Sequence, residues 1–146
     1  MTTTASTGST TGSTTAATGT PMRTYLITLY SPDGPTPPPE VLGPIMAELE
    51  ALNDDIRAAG GWVFAGGLGD LSAATTIRAG ASGEPVLTDG PFLEAKEHLG
   101  GLTIVRAPDY DVALGWAQRT AKATGLAVEI RPFVDMDDPG QRPEAG

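Results

Sequence analysis

The 146-residue sequence predicts an α+β fold in which two helices cover one face of an antiparallel sheet, and three observations carry that expectation. A chain of this length with 40% hydrophobic residues has room for one core and so for one domain. Apolar residues alternate in some stretches and recur at steps of three and four in others, which separates strands from helices. The resulting order is β-α-β, an inserted hairpin, then β-α-β. Two split β-α-β halves with both helices on one side of the sheet make a ferredoxin-like sandwich.

The first strand is "RTYLITLY" (23–30), rich in aromatic and β-branched residues and stopped by the proline-rich "SPDGPTPPP". A helix follows in "EVLGPIMAELEALNDDIRAAGG", where Leu42, Ile45, Leu49, Leu52 and Ile56 form one stripe and Gly60 and Gly61 mark the stop. Pro44 suits only a first turn or a kink, so the regular helix is expected to begin near it. "WVFAGGL" (62–68) is the second strand, with Trp62 assigned to the core. "AATTIRA" (73–79), the turn "GASG" and "EPVLT" (84–88) form a hairpin. "GLTIVRA" (101–107) is the next strand. Asp109 caps a helix through "YDVALGWAQRTAKAT", with Val112, Ala113, Trp116 and Ala117 facing inward and Gly125 ending it. "LAVEIRPFV" (126–134) closes the sheet. In the first strand Tyr25, Ile27 and Leu29 point one way and Leu26, Thr28 and Tyr30 the other, so both faces are apolar. The face without helices then needs a cover, and a second copy related by a two-fold axis is the simplest, so a homodimer is expected.

The folded domain is expected over residues 22–134. Residues 1–21 are almost all Thr, Ser, Gly and Ala without a charge, and they read as a disordered tail. Residues 135–146 carry Asp135, Asp137, Asp138 and Glu144 against Arg142 and read as a flexible acidic tail. The net charge of -9 works against nucleic acid, whose phosphates need clustered Lys and Arg. No apolar run is long enough for a membrane helix, and the N-terminus lacks the basic and apolar regions of a signal peptide. Zero cysteines exclude disulfides and thiolate chemistry and fit a reducing compartment, so a cytoplasmic protein is expected. One histidine and no cysteine provide too few nitrogen or sulfur ligands for a dedicated transition-metal site. "FAGGLGDL" is not a G-x-G-x-x-G opening a helix, so no dinucleotide cofactor is expected.

Chemistry concentrates in "TDGPFLEAKEHLGG" (88–101). It holds five titratable side chains between Asp89 and His98 in a chain only 18% charged, and its histidine is the sole one of the protein. Asp89-Gly90-Pro91 is a turn in which Asp accepts backbone N–H bonds and Gly supplies an unusual φ. At a strand end facing a cleft, Asp89 also serves as a general base or a ligand-binding carboxylate. His98 suits proton transfer near neutrality, set against the plainer reading of a hydrogen-bonded loop residue. "LEAKEH" forms a helical turn in which Glu94, Glu97 and His98 share a side, and Glu94 and Lys96 are weaker ligand-binding candidates. Arg78 clamps an anion bidentately or pairs with Glu84 across the hairpin. Phe92 is assigned to the core.

The first strand, "AAGGWVFAGGL", "TTIR", "TDGPFLEAKEHLGGLTIV", "DYDVALGWA" and "VEIRPF", in that order, resemble the YCII-related family, and in particular its DGPF branch. The resemblance spans about residues 23–134. It implies subunits that pair as a dimeric α/β barrel, with a cleft lined by the Asp of the DGPF loop, which is Asp89 here. It also implies a bacterial protein, in some members encoded beside or fused to an extracytoplasmic-function sigma factor, and it supplies no established general reaction. Smaller relatives use a His and Asp pair whose His lies in the first half of the chain. This sequence has no His there, so only Asp89 carries over.

Three functions follow. One is a cofactor-independent acid/base enzyme acting on a small molecule, with Asp89 as base and His98 or Arg78 as partner. Another is a non-catalytic module that senses a metabolite and is tied to a sigma factor. The third is a purely structural dimer in which this segment shapes the interface. A closed pocket with paired acid and base marks the first, a pocket without such a pair the second, and no pocket the third.

Overall fold

The structure, a computed structural model, describes residues 21–92 and 95–135. Apart from Pro21 and Asp135, the two expected tails lie outside the described residues. The strands are β1 (Arg23–Pro32), β2 (Trp62–Gly67), β3 (Thr75–Ala79), β4 (Pro85–Asp89), β5 (Glu97–Ala107) and β6 (Ala127–Pro132), and the helices are α1 (Pro39–Ala58) and α2 (Tyr110–Thr124). Four strands form one sheet in the order β2-β5-β1-β6, and every neighbouring pair is antiparallel. This is the ferredoxin-like arrangement. β3 and β4 form a separate two-stranded sheet.

The α1 stripe is as expected: Leu52 and Ile56 are buried, and Leu42, Ile45 and Leu49 half-buried. The helix begins at Pro39, ahead of Pro44, which lies inside it. Pro44 removes only the N–H that would bond the Glu40 carbonyl, near the end of the helix where such bonds are sparse anyway. Gly60, with φ +76°, ends α1 in the left-handed region that glycine favours. Gly61 next to it is needed for closeness, since a Cβ there would meet the Arg106 carbonyl and the Trp116 ring. Asp109 Oδ1 accepts from the Val112 N–H at 2.9 Å, capping α2, and Gly125 at φ +71° terminates it.

Both helices pack on one face of the sheet. Tyr25, Ile27, Val105 and Ala107 from the sheet meet Leu52 and Ile56 of α1 and Ala113 and Ala117 of α2, with Trp62, Trp116, Val128 and Ile130 around them. Ile27, Ile56 and Val105 are wholly enclosed, and burial of each contributes about 1.5–3 kcal/mol. Trp62 joins the core as expected, under the Arg57 guanidinium 4.5 Å above its ring, yet its buried Nε1 finds no hydrogen-bond partner among the described residues. On the other face, strand alternation and register align Phe64, Ile104, Leu26 and Arg131 in a row across all four strands.

Candidate functional site

The central strands outrun their neighbours. β6 pairs with β1 no further than Tyr30, and β2 pairs with β5 no further than Gly101, while β1 and β5 continue through Tyr30–Leu99, Ser31–His98 and Pro32–Glu97. The Asp33 N–H then donates to the Lys96 carbonyl at 2.8 Å and closes the ribbon. The register shifts between Leu29 and Tyr30, where β5 fits in the extra Gly100. A Cβ on Gly100 would collide with Ser31 Oγ, so glycine there lets the strands pass the bulge. The expected helical turn at "LEAKEH" is therefore corrected: Glu97 and His98 are strand residues, because backbone pairing with β1 satisfies more groups than one isolated turn.

This places His98 opposite Ser31, a neighbour the sequence reading missed. The imidazole is half-buried, and its buried Nδ1 has no hydrogen-bond partner among the described residues. A buried nitrogen without a partner costs about 1–3 kcal/mol, so its position asks for a reason. The ribbon end also forms an open depression lined by Pro32, Asp33, Ala95 and Lys96, with His98 two residues further along the chain and not among its lining residues. Nothing in the sequence signalled this depression, because it depends on how far β1 and β5 stay paired.

The hairpin holds the other candidates. Thr76 Oγ1 donates to the Gly90 carbonyl at 2.8 Å, the Gly90 N–H donates to the Ala74 carbonyl at 2.8 Å, and Gly90 takes φ +106°. The backbone of Gly90 thus fixes the turn. The carboxylate of Asp89 was expected to accept N–H bonds there, but it is exposed and makes no hydrogen bond or ion pair among the described residues. Phe92 is 61% exposed rather than in the core, and the Arg78 guanidinium lies 4.6 Å from its ring centroid. Stacking on Phe92 takes the place of the Arg78–Glu84 pair, since the Glu84 carboxylate accepts instead from the Ser82 N–H.

Asp89 and Arg78 therefore stand on the two-stranded sheet and His98 on the four-stranded one, with Lys96 just ahead of β5, and no hydrogen bond or ion pair joins the two sets among the described residues. Glu94 lies outside the described residues. No cluster of three or more His, Asp or Glu side chains suited to a metal occurs among the described residues, and none of their helices is long and apolar enough to cross a membrane.

A four-stranded antiparallel sheet in this order, two helices on one face and an inserted hairpin together define a ferredoxin-like α+β protein. The chain belongs to the YCII-related family, whose domain model matches residues 22–137. It is similar to an uncharacterized protein of Rhizobium meliloti (strain 1021), with 34% identity over 102 residues that cover 68% of this chain and 80% of that protein.

Proposed function

We propose that the protein is a cytoplasmic small-molecule-binding member of the DGPF branch that works as a homodimer without a cofactor and takes its ligand at the end of the β1–β5 ribbon. The observation that carries this is the partnerless buried Nδ1 of His98, two residues along the chain from Lys96, which lines an open depression at the ribbon end. A ligand that reaches into the ribbon end would supply the hydrogen bond this nitrogen lacks. Lys96 at the depression offers a cation, next to the Asp33 carboxylate. Small anions such as carboxylates are the ligands these groups favour. Asp89 is the proposed acid/base partner, and the pair would serve a cofactor-independent reaction.

The separation of Asp89 from His98 within one chain favours a second reading. A ligand cleft without a joined acid/base pair suits a metabolite-sensing module, of the kind that in some members of the family stands beside an extracytoplasmic-function sigma factor. Native mass spectrometry of the purified full chain separates these readings from a purely structural dimer. A retained small molecule, lost in His98→Gln, supports binding; if the wild type and His98→Gln carry nothing and take up none of a panel of small carboxylates, the structural reading prevails.

A further inference from the structure

The hairpin of β3 and β4 leaves an apolar face uncovered. It packs substantially against neither the four-stranded sheet nor a helix. Its register puts Ile77 directly opposite Leu87, on the same face as Thr75 and Asp89, and these two apolar side chains are 64% and 62% exposed. The bare face of the main sheet has the matching need, with Phe64 53% exposed beside half-buried Ile104 and Leu26. An arm and a face that stay apart in one chain meet twice over in a pair related by a two-fold axis.

We propose that the β3–β4 hairpin docks through Ile77 and Leu87 on the bare sheet face of a second copy, where its Asp89 pairs with Arg131 of the partner subunit. This rests on the homodimer proposed above and names the surfaces that meet. A standard interface buries about 800 Å² on each partner, and the exposed Ile77, Leu87 and Phe64 supply the apolar centre of this one. Charge fixes the orientation. Asp89 and Arg131 are both exposed, and neither has a partner among the described residues. Asp89 is two residues along the strand from Leu87, about 6.6 Å, and Arg131 is one strand from Leu26, about 4.8 Å, so seating Leu87 on Leu26 brings carboxylate and guanidinium within reach. Glu129, beside Thr28 in the adjacent row of β6, repels Asp89 from the alternative placement. Arg78 faces away from the docked side, and a site that uses Asp89 is complete only in the pair.

A chain without cysteine makes the test direct. Leu87→Cys and Leu26→Cys proteins, one of them isotope-labelled, are mixed and oxidised, and a disulfide-linked dimer with one chain of each kind is expected. In parallel, Asp89→Arg should raise the dimer dissociation constant about tenfold, and adding Arg131→Asp should restore it. A dimer in light scattering that yields neither the mixed disulfide nor the charge-swap rescue overturns the arm and leaves the homodimer standing. A monomer at micromolar concentration overturns both.

Discussion

His98 and Asp89 stand in contrasting surroundings. Leucine at position 98 removes the partnerless Nδ1 while keeping an apolar body, so His98→Leu should leave stability in urea unfolding unchanged or raise it by about 1 kcal/mol. A loss beyond that would mean that the imidazole is bonded after all. Asp89→Asn should shift the unfolding free energy of the chain by no more than about 0.5 kcal/mol, since the carboxylate is exposed and Gly90 holds the turn with its backbone. A cost of about 2 kcal/mol would return Asp89 to a turn-holding role. The sequence made both residues conspicuous by their density of titratable neighbours. It did not reveal their surroundings, because the burial of Nδ1 depends on a bulge at Gly100 and on contacts far along the chain.

Among the elements, legibility followed the strength of local signals. The α1 stripe, the Asp109 cap and Gly125 are read from spacing and side-chain chemistry alone, and each stands where expected. The early half of β5 is different, because "LEAKEH" carries a helical charge pattern while its pairing with β1 is set by partners sixty and more residues away. Phe92 was read inward for its ring, yet Arg78 holds it at the surface. Two substitutions test the element account. Asp109→Ala should cost about 1 kcal/mol through the exposed N–H groups of α2. Gly61→Ala should cost about 2 kcal/mol or more in thermal or urea unfolding, because the added methyl meets backbone and the Trp116 ring rather than a flexible side-chain end. A neutral Gly61→Ala would show that the α1–β2 connection can shift without loss.

For the whole molecule, the ferredoxin-like topology was legible because period switching orders the elements and only a few sheets accept that order. The partner surface was legible in part. The apolar outer row of β1 pointed to a cover, but the hairpin face became visible only in the register that puts the exposed Ile77 and Leu87 opposite each other. If a second copy covers the apolar face as proposed, light scattering with gel filtration should report about twice the 14.9 kDa chain mass.

The proposed ligand of His98 can be sought directly, because the chain holds a single histidine. Long-range ¹H–¹⁵N correlation spectra of the full chain contain one imidazole, so its Nδ1 and Nε2 signals need no assignment by mutation. Titration with a panel of small carboxylates should move the Nδ1 signal in a saturable way for at least one member, and Lys96→Ala should weaken that response. An Nδ1 signal that stays fixed across the panel, while the fold remains intact, would contradict a ligand site at the ribbon end.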